Sequence, residues 1–172
     1  MQSINSFRYI WQKNATFLLT TLLVIITDQV SKLWIKSNLA VGESVFEFGF
    51  FRLSHVQNTG SSFGLFQGQN LILSIVAIIG TCMILFLFFF LRHRFEILNT
   101  TFGKLSLGLI LGGTMGNLIN RLSFGYVIDF IDFNYWPAFN IADSSVVVGS
   151  ILLAYFIIRF TTRSDVNNGK NS

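Results

Sequence analysis

Residues 112–143 read GGTMGNLINRLSFGYVIDFIDFNYWPAFNIAD. The stretch begins inside one apolar segment and ends at the start of another. It concentrates Arg121, Asp129, Asp132, Asp143 and several asparagines in a chain that is only 12% charged. Polar side chains at membrane depth are costly, so such a stretch is read first as a functional site. The rest of the chain is expected to hold it at one face of a bilayer.

Working outward, the 172 residues are 52% hydrophobic, with twenty Phe and one Pro. A soluble domain of this size carries roughly twice the charge. The length suits one domain, 1–172. The net charge of +4 is not gathered into the clustered basic face that nucleic-acid binding needs. Cys82 is the only cysteine and is expected to be a small apolar core residue. His55 and His93 have no ligand spacing around them, so no metal site is expected.

Four apolar segments follow in order, at about 15–35, 71–91, 105–121 and 141–158, with a polar and disordered tail over about 159–172. Ala15–Ile35 would make a helix about 31 Å long, enough to cross the hydrocarbon. It is read as a span rather than a cleaved signal peptide because it is long and carries Asp28 and Lys32 at its far end. Those two lie on one helical face, four positions apart, where they can pair. The third segment is rich in glycine, at positions 108, 112, 113 and 116, which lets helices approach closely in lipid. Asn117 and Arg121 repeat the four-residue spacing at its end.

Between the first two spans, Phe46, Phe48 and Phe50 alternate with Glu47 and Gly49, a strand pattern with one apolar face. That face suits the membrane surface, a lipid chain or the protein's own helices. Asn58-Thr59-Gly60 has the composition of a sharp turn that would point an amide into a site. Residues 123–139 read as an amphipathic or irregular segment, with Pro137 barring a continuous helix. The expected fold is therefore an all-α membrane protein of four transmembrane helices, with a small extracytoplasmic β-region after the first helix.

Basic residues set the orientation. Arg8, Lys13, Arg92, Arg94, Lys104, Arg159, Arg163 and Lys170 lie at the N-terminus, in the 92–104 loop and in the tail, eight of the twelve in the chain. The positive-inside rule then puts both termini in the cytoplasm. Asp28, Lys32, Asn58, Asn117, Arg121, Asp129 and Asp143 all fall toward the outer face.

The chemistry available there is carboxylates, amides and cations. Two adjacent carboxyls do not ionise together easily and can share one proton. One then acts as general base on water, while the other, protonated, polarises a carbonyl and supplies a proton to the leaving amine. Asp129 and Asp143 fit that role, and the residues alone do not separate Asp129 from Asp132. Asn140 is a candidate cap for the helix that Asp143 begins.

Five short patterns in order resemble the bacterial lipoprotein signal peptidase (signal peptidase II) family. They are Asp28-Gln-Val-Ser-Lys32, Asn58-Thr-Gly60-Ser-Ser-Phe63, Gly112-Gly113-Thr-Met-Gly116-Asn117-Leu-Ile-Asn120-Arg121, Val127-Ile-Asp129-Phe130 and Phe139-Asn140-Ile-Ala142-Asp143. Asn120 departs from the family's usual Asp, and Ser61-Ser62 replaces a small apolar pair. The resemblance implies a membrane aspartyl endopeptidase that cuts diacylglyceryl-modified prolipoproteins before the lipidated cysteine and is inhibited by globomycin. It implies Asp129 and Asp143 as the catalytic dyad. Asp28, Lys32, Asn58, Gly60, Asn117, Arg121 and Asn140 would bind substrate or shape the site. The same reading gives no cofactor, no metal and a monomer in the bacterial cytoplasmic membrane, partnered by lipid and prolipoproteins, with the active site toward the outer face. It favours Asp129 over Asp132, which lies outside the motif. The Phe-bearing strand would cover the lipidated peptide. The rival reading is a small proton- or ion-coupled transporter using the intramembrane Asp and Arg residues, which predicts an inverted repeat that the two chain halves lack.

Overall fold

A computed structural model of the protein describes residues 2–61 and 65–169, with side chains for 14–61, 65–160 and 162. Ser62, Phe63 and Lys170 of the patterns above lie outside the described residues, as do the side chains of Arg8, Lys13 and Arg163. The elements are helix α1 (Gln2–Asn38), strands β1 (Ser44–Phe48) and β2 (Phe51–Asn58), and helix α2 (Asn70–Phe86). A π-helical turn over Leu87–Leu91 continues α2. Then come α3 (Glu96–Asn99), α4 (Thr101–Phe124), β3 (Val127–Phe133), β4 (Trp136–Phe139) and α5 (Ile141–Gly169).

Four helices among the described residues are long and apolar enough to cross a membrane: Asn14–Asn38, Asn70–Leu91, Thr101–Phe124 and Ile141–Phe160. Several of their hydroxyls are satisfied within the helix that carries them. Thr21, Thr27 and Ser31 donate to carbonyls four residues back, at 2.8 Å each, which spares these three hydroxyls the cost of an apolar setting, whereas the buried Thr81 Oγ1 on α2 has no partner among the described residues. Helix α4 is capped at both ends. Thr100 accepts from the Gly103 N–H at 3.1 Å, and Gly125 takes the left-handed conformation that closes the last turn. Leu22, Leu23, Ile72, Val76, Ile151 and Ile158 all point outward, which only a lipid surround makes favourable.

Helix α4 is the central one, half buried where α2 and α5 are mostly exposed. Its glycines allow this. A Cβ at Gly113 would overlap the Ala142 carbonyl of α5, and one at Gly116 would come within 2.7 Å of the Asp28 carboxylate on α1. Lipid offers no hydrophobic drive for helix pairing, so this close approach is what holds α1, α4 and α5 together. Gly113→Ala is therefore expected to lower stability by about 1–3 kcal/mol through overpacking. Gly80→Ala on α2, where a Cβ meets nothing within 4 Å, should be neutral. Thermal unfolding of the two variants in one detergent checks the contrast.

The β-structure corrects the sequence expectation. The strands form one antiparallel sheet in the order β1-β2-β3-β4. The β-region is thus not confined to the connection after the first helix. Residues 127–139, expected to be amphipathic or irregular, supply half of the sheet, and the protein is not purely α-helical. Strand β3 pairs with β2 over Phe51↔Phe133 to Asn58↔Val127, with a bulge between Leu53 and Val56. Pro137 sits in β4, which has β3 as its only sheet neighbour among the described residues, an edge position that a residue lacking N–H tolerates. Pairing of β2 with β3 places the ends of α1 and α4 and the starts of α2 and α5 at one end of the bundle.

Phe46, Phe48 and Phe50 are 70%, 85% and 64% exposed, so they do not pack against the protein's own helices. Cys82 is also exposed, on the lipid-facing side of α2, and is not the core residue expected. Helix α5 runs on to Gly169 where disorder was expected from about 159. A local core of Ile35, Leu39, Ile128 and Phe130 fastens the sheet to the end of α1.

Candidate active site

Period-two alternation along β3 turns Ile128 and Phe130 toward the α1 core and Asp129 to the opposite face. There Asp129 is 2% exposed. Its two carboxylate oxygens accept from Asn140 Nδ2 at 2.6 Å and Asn58 Nδ2 at 2.9 Å. Asp143 arrives from the first turn of α5 and accepts from Asn117 Nδ2 at 2.7 Å.

Asn140 does two jobs. As the N-cap of α5, it accepts the Asp143 N–H through Oδ1 at 2.9 Å, while the Asp143 carboxylate accepts the Asn140 N–H at 3.3 Å. This reciprocal pair is a capping box built from Asn and Asp. Its remaining Nδ2 group then reaches Asp129 and the Asn117 Oδ1, at 2.6 and 3.2 Å. One side chain thus fixes the start of a helix and ties both carboxyls into one network.

The cations stand behind this network. Lys32 and Asp28 are 1% and 0% exposed and pair at 2.8 Å. Lys32 Nζ also donates to Asn117 Oδ1 at 2.8 Å, and Asp28 accepts the Ala142 N–H at 2.9 Å. An anion at the N-terminus of α5 answers both an orphan helix donor and the helix dipole. Arg121 donates to the Gly60 carbonyl at 3.0 Å, and the Gly60 N–H bonds Asn58 Oδ1 at 2.9 Å. The Asn58-Thr59-Gly60 turn is an Asx turn that delivers the Asn58 amide to Asp129.

Asp132 is placed differently. It faces Arg52 across the sheet and accepts from Arg52 Nε at 2.7 Å and Ser54 Oγ at 3.2 Å. It touches the wall of the same cavity but none of the amides that join Asp129 to Asp143. Two polar residues that the sequence reading passed over enter the site. Gln29 donates to Asp28 at 3.0 Å, and Asn70 donates to the Arg121 carbonyl at 3.2 Å. The signal for Gln29 was its place beside Asp28 inside an apolar span, where any polar side chain is costly.

Burial pushes the Asp129 carboxyl up to about 7, and the nearby Asp143 charge adds to the rise. Hydrogen bonds from Asn58 and Asn140, and the Lys32 charge, pull the other way. A carboxyl so placed exchanges its proton near neutral pH, as acid–base catalysis requires.

Asp129 and Asp143 lie on the shared wall of two cavities. The larger, about 790 Å³, runs under β2 and β4 and is lined by Val56, Trp136, Phe139, Val147 and Val148. The smaller, about 310 Å³, lies toward α2 and α4 against Ala77, Thr114 and Arg121.

Comparison with known proteins identifies the scaffold. The family model described as signal peptidase (SPase) II matches residues 20–159. The chain belongs to the signal peptidase II family. A lipoprotein signal peptidase from Dehalococcoides mccartyi (strain BAV1) is 42% identical over 156 residues, 90% of this chain and 97% of the relative. Another from Halothermothrix orenii is 38% identical over 140 residues, 81% of this chain and 92% of the relative. A bacterial membrane enzyme solved by the in meso method at 2.3 Å resolution superposes with TM-score 0.78 at 30% identity, covering 87% of this chain and 91% of that one. A second, at 1.9 Å, gives TM-score 0.72 at 30% identity over 83% and 92%. As a signal peptidase II the protein is a protease and a multi-pass membrane protein. That membership does not favour the transporter reading.

Proposed function

We propose that the protein removes signal peptides from prolipoproteins as an aspartyl endopeptidase, cutting before a cysteine that carries diacylglycerol. The observation that carries this reading is the amide of Asn140, which ties Asp129 and Asp143 into one buried network on the wall of an open cavity. One carboxyl, ionised, takes a proton from water as the water attacks the scissile carbonyl. The other, protonated, donates to the carbonyl oxygen, and a proton then passes to the leaving amine. Asp129 and Asp143 are the catalytic pair. Asn58, Asn117 and Asn140 orient them, Gly60 and Arg121 hold the turn that bears Asn58, and Asp28 and Lys32 anchor the base. The chemistry calls on no cofactor.

The two cavities suit a substrate with two apolar parts, a signal-peptide helix and an acyl-bearing cysteine. Both parts stay in the outer leaflet, so the proposed orientation has both termini in the cytoplasm and the sheet outside the bacterial cytoplasmic membrane. A monomer suffices, because every proposed residue comes from one chain. The exposed Phe46, Phe48 and Phe50 give the β1–β2 hairpin an apolar surface that we infer closes over the lipidated peptide.

The test is cleavage of a lipobox prolipoprotein in liposomes, with and without its diacylglyceryl group. Cleavage of the lipidated form alone is the expected result. Equal cleavage of both would remove the lipid from the recognition, and cleavage of neither by folded protein would overturn the reading.

A further inference from the structure

A second chain of polar contacts runs behind the dyad, on the side away from the cavities. It starts at the residue before Asp129. The Ile128 N–H donates to Asn120 Oδ1 at 3.3 Å. Asn120 Nδ2 donates to Gln29 Oε1 at 3.1 Å. Gln29 Nε2 donates to the Asp28 carboxylate and to the Gly116 carbonyl, both at 3.0 Å. Asp28 then accepts the N–H of Ala142, the residue before Asp143, at 2.9 Å. Asn120 is 1% exposed and Asp28 fully buried, with the half-buried Gln29 between them, so most of the path is shielded from competing water.

We propose that Gln29 and Asn120 are positioning residues that fix the spacing of Asp129 and Asp143 by linking the backbone before one to the backbone before the other. The inference rests on the peptidase reading above.

The direction of the bonds supports a strut rather than filler. Each amide uses its oxygen toward β3 and its nitrogen toward α5, so neither can turn over without setting acceptor against acceptor or donor against donor. A buried polar path with every member paired specifies one arrangement of the elements it joins. The elements joined here, α1, α4, β3 and α5, are those that carry the dyad and its supports. Two carboxyls that must share a proton and flank one carbonyl tolerate little error. A displacement of about 1 Å can cost on the order of a hundredfold in rate.

The same geometry accounts for a carboxylic acid at position 120, the residue the resemblance leads one to expect. In its protonated form an Asp keeps both bonds, its carbonyl oxygen accepting from Ile128 and its O–H donating to Gln29 Oε1. Leucine keeps the volume and neither bond.

The experiment measures kcat and KM on the lipidated prolipoprotein for wild type, Gln29→Met, Asn120→Leu, Asn120→Asp and the Gln29→Met/Asn120→Leu double variant. Each is compared at matched elution and thermal unfolding in detergent. A strut predicts that kcat falls about tenfold or more in Gln29→Met and Asn120→Leu while KM stays within about twofold. It predicts that Asn120→Asp stays within about threefold of wild type. It also predicts a double variant no slower than the worse single one, because cutting a chain twice does little more than cutting it once. If Asn120→Leu does not yield folded protein, Gln29→Met decides, since Gln29 is only half-buried. Unchanged kcat in Gln29→Met, or multiplicative losses in the double variant, would overturn the strut and leave the peptidase reading standing. Failure of folded wild type to cleave would overturn both.

Discussion

Asp129→Asn and Asp143→Asn are each expected to lower kcat by about 10³-fold or more, because each removes one half of the proposed proton-sharing pair and the remaining carboxyl cannot serve as acid and base at once. Asp132→Asn should stay within a few-fold of wild type. Its partner Arg52 is partly exposed and can turn to water, and none of the amides that join the dyad reaches Asp132. Cleavage of the lipidated substrate by the three variants at matched expression separates the two aspartates of β3. An inactive Asp132→Asn with an active Asp129→Asn would exchange their roles. The pH profile of kcat/KM should fall on its alkaline side near 7, where the Asp129 carboxyl gives up its proton.

The same shift has a consequence for stability. A carboxyl near 3.9 in the unfolded chain and about 7 in the folded one binds its proton more tightly when folded. Stability therefore falls as pH rises through the window from about 4 to about 7, and the penalty is complete only above it. Asp129→Asn lifts that penalty. The gain is partial, because Asn58 and Asn140 both donate to Asp129 and an amide offers only one oxygen. A net stabilisation of about 1 kcal/mol at pH 8, fading toward pH 4, is expected from thermal unfolding of the inactive variant. Equal unfolding temperatures at both pH values would mean that Asp129 is ionised at little cost in the folded protein.

The four membrane helices were legible in the sequence because lipid imposes a long apolar run on each of them. So was the polar cluster at one end of the bundle, because every charge within such a run stands out. The sheet was only half legible. Residues 46–50 carry the alternation of a strand, but β3 is buried on both faces and its VIDFIDF shows no polar side to count. Its partner β2 lies some seventy positions earlier, and nothing local in either segment announces the pairing. Pro137 argued against helix and said nothing of an edge strand. Cys82 was misread because apolar residues on a membrane helix face outward as readily as inward. Asn120 was visible as a departure, but its use emerges only when α4, α1 and β3 are brought together. The hydrogen bonds that separate Asp129 from Asp132 likewise depend on a bulge in β2 and the cap of α5, neither of which a motif encodes.

Lys32→Met is expected to be the most destabilising single substitution at the site. Lys32 and Asp28 are both buried and pair at 2.8 Å, with Asn117 as a third partner for the ammonium. Removing the cation leaves Asp28 as an uncompensated charge at the contact of α1, α4 and α5, a change that costs about 3–5 kcal/mol in buried pairs. Adding Asp28→Asn should recover most of that loss. The neutral side chain still offers an oxygen to the Ala142 N–H, at the expense of the bond from Gln29 Nε2, and replacing both members of a buried pair is often close to neutral. Activity should not return with stability. Without Lys32, Asn117 Oδ1 loses its charged donor and is left with the longer bond from Asn140 Nδ2, so the amide that holds Asp143 is less firmly fixed. The expected pattern is a single variant that unfolds early and a double variant that unfolds near wild type yet cleaves slowly. Thermal unfolding and cleavage of both in one detergent decide it. If the double variant is as unstable as the single one, the ion pair is not what Lys32 contributes. If it regains full activity, Lys32 anchors the fold and leaves the dyad alone.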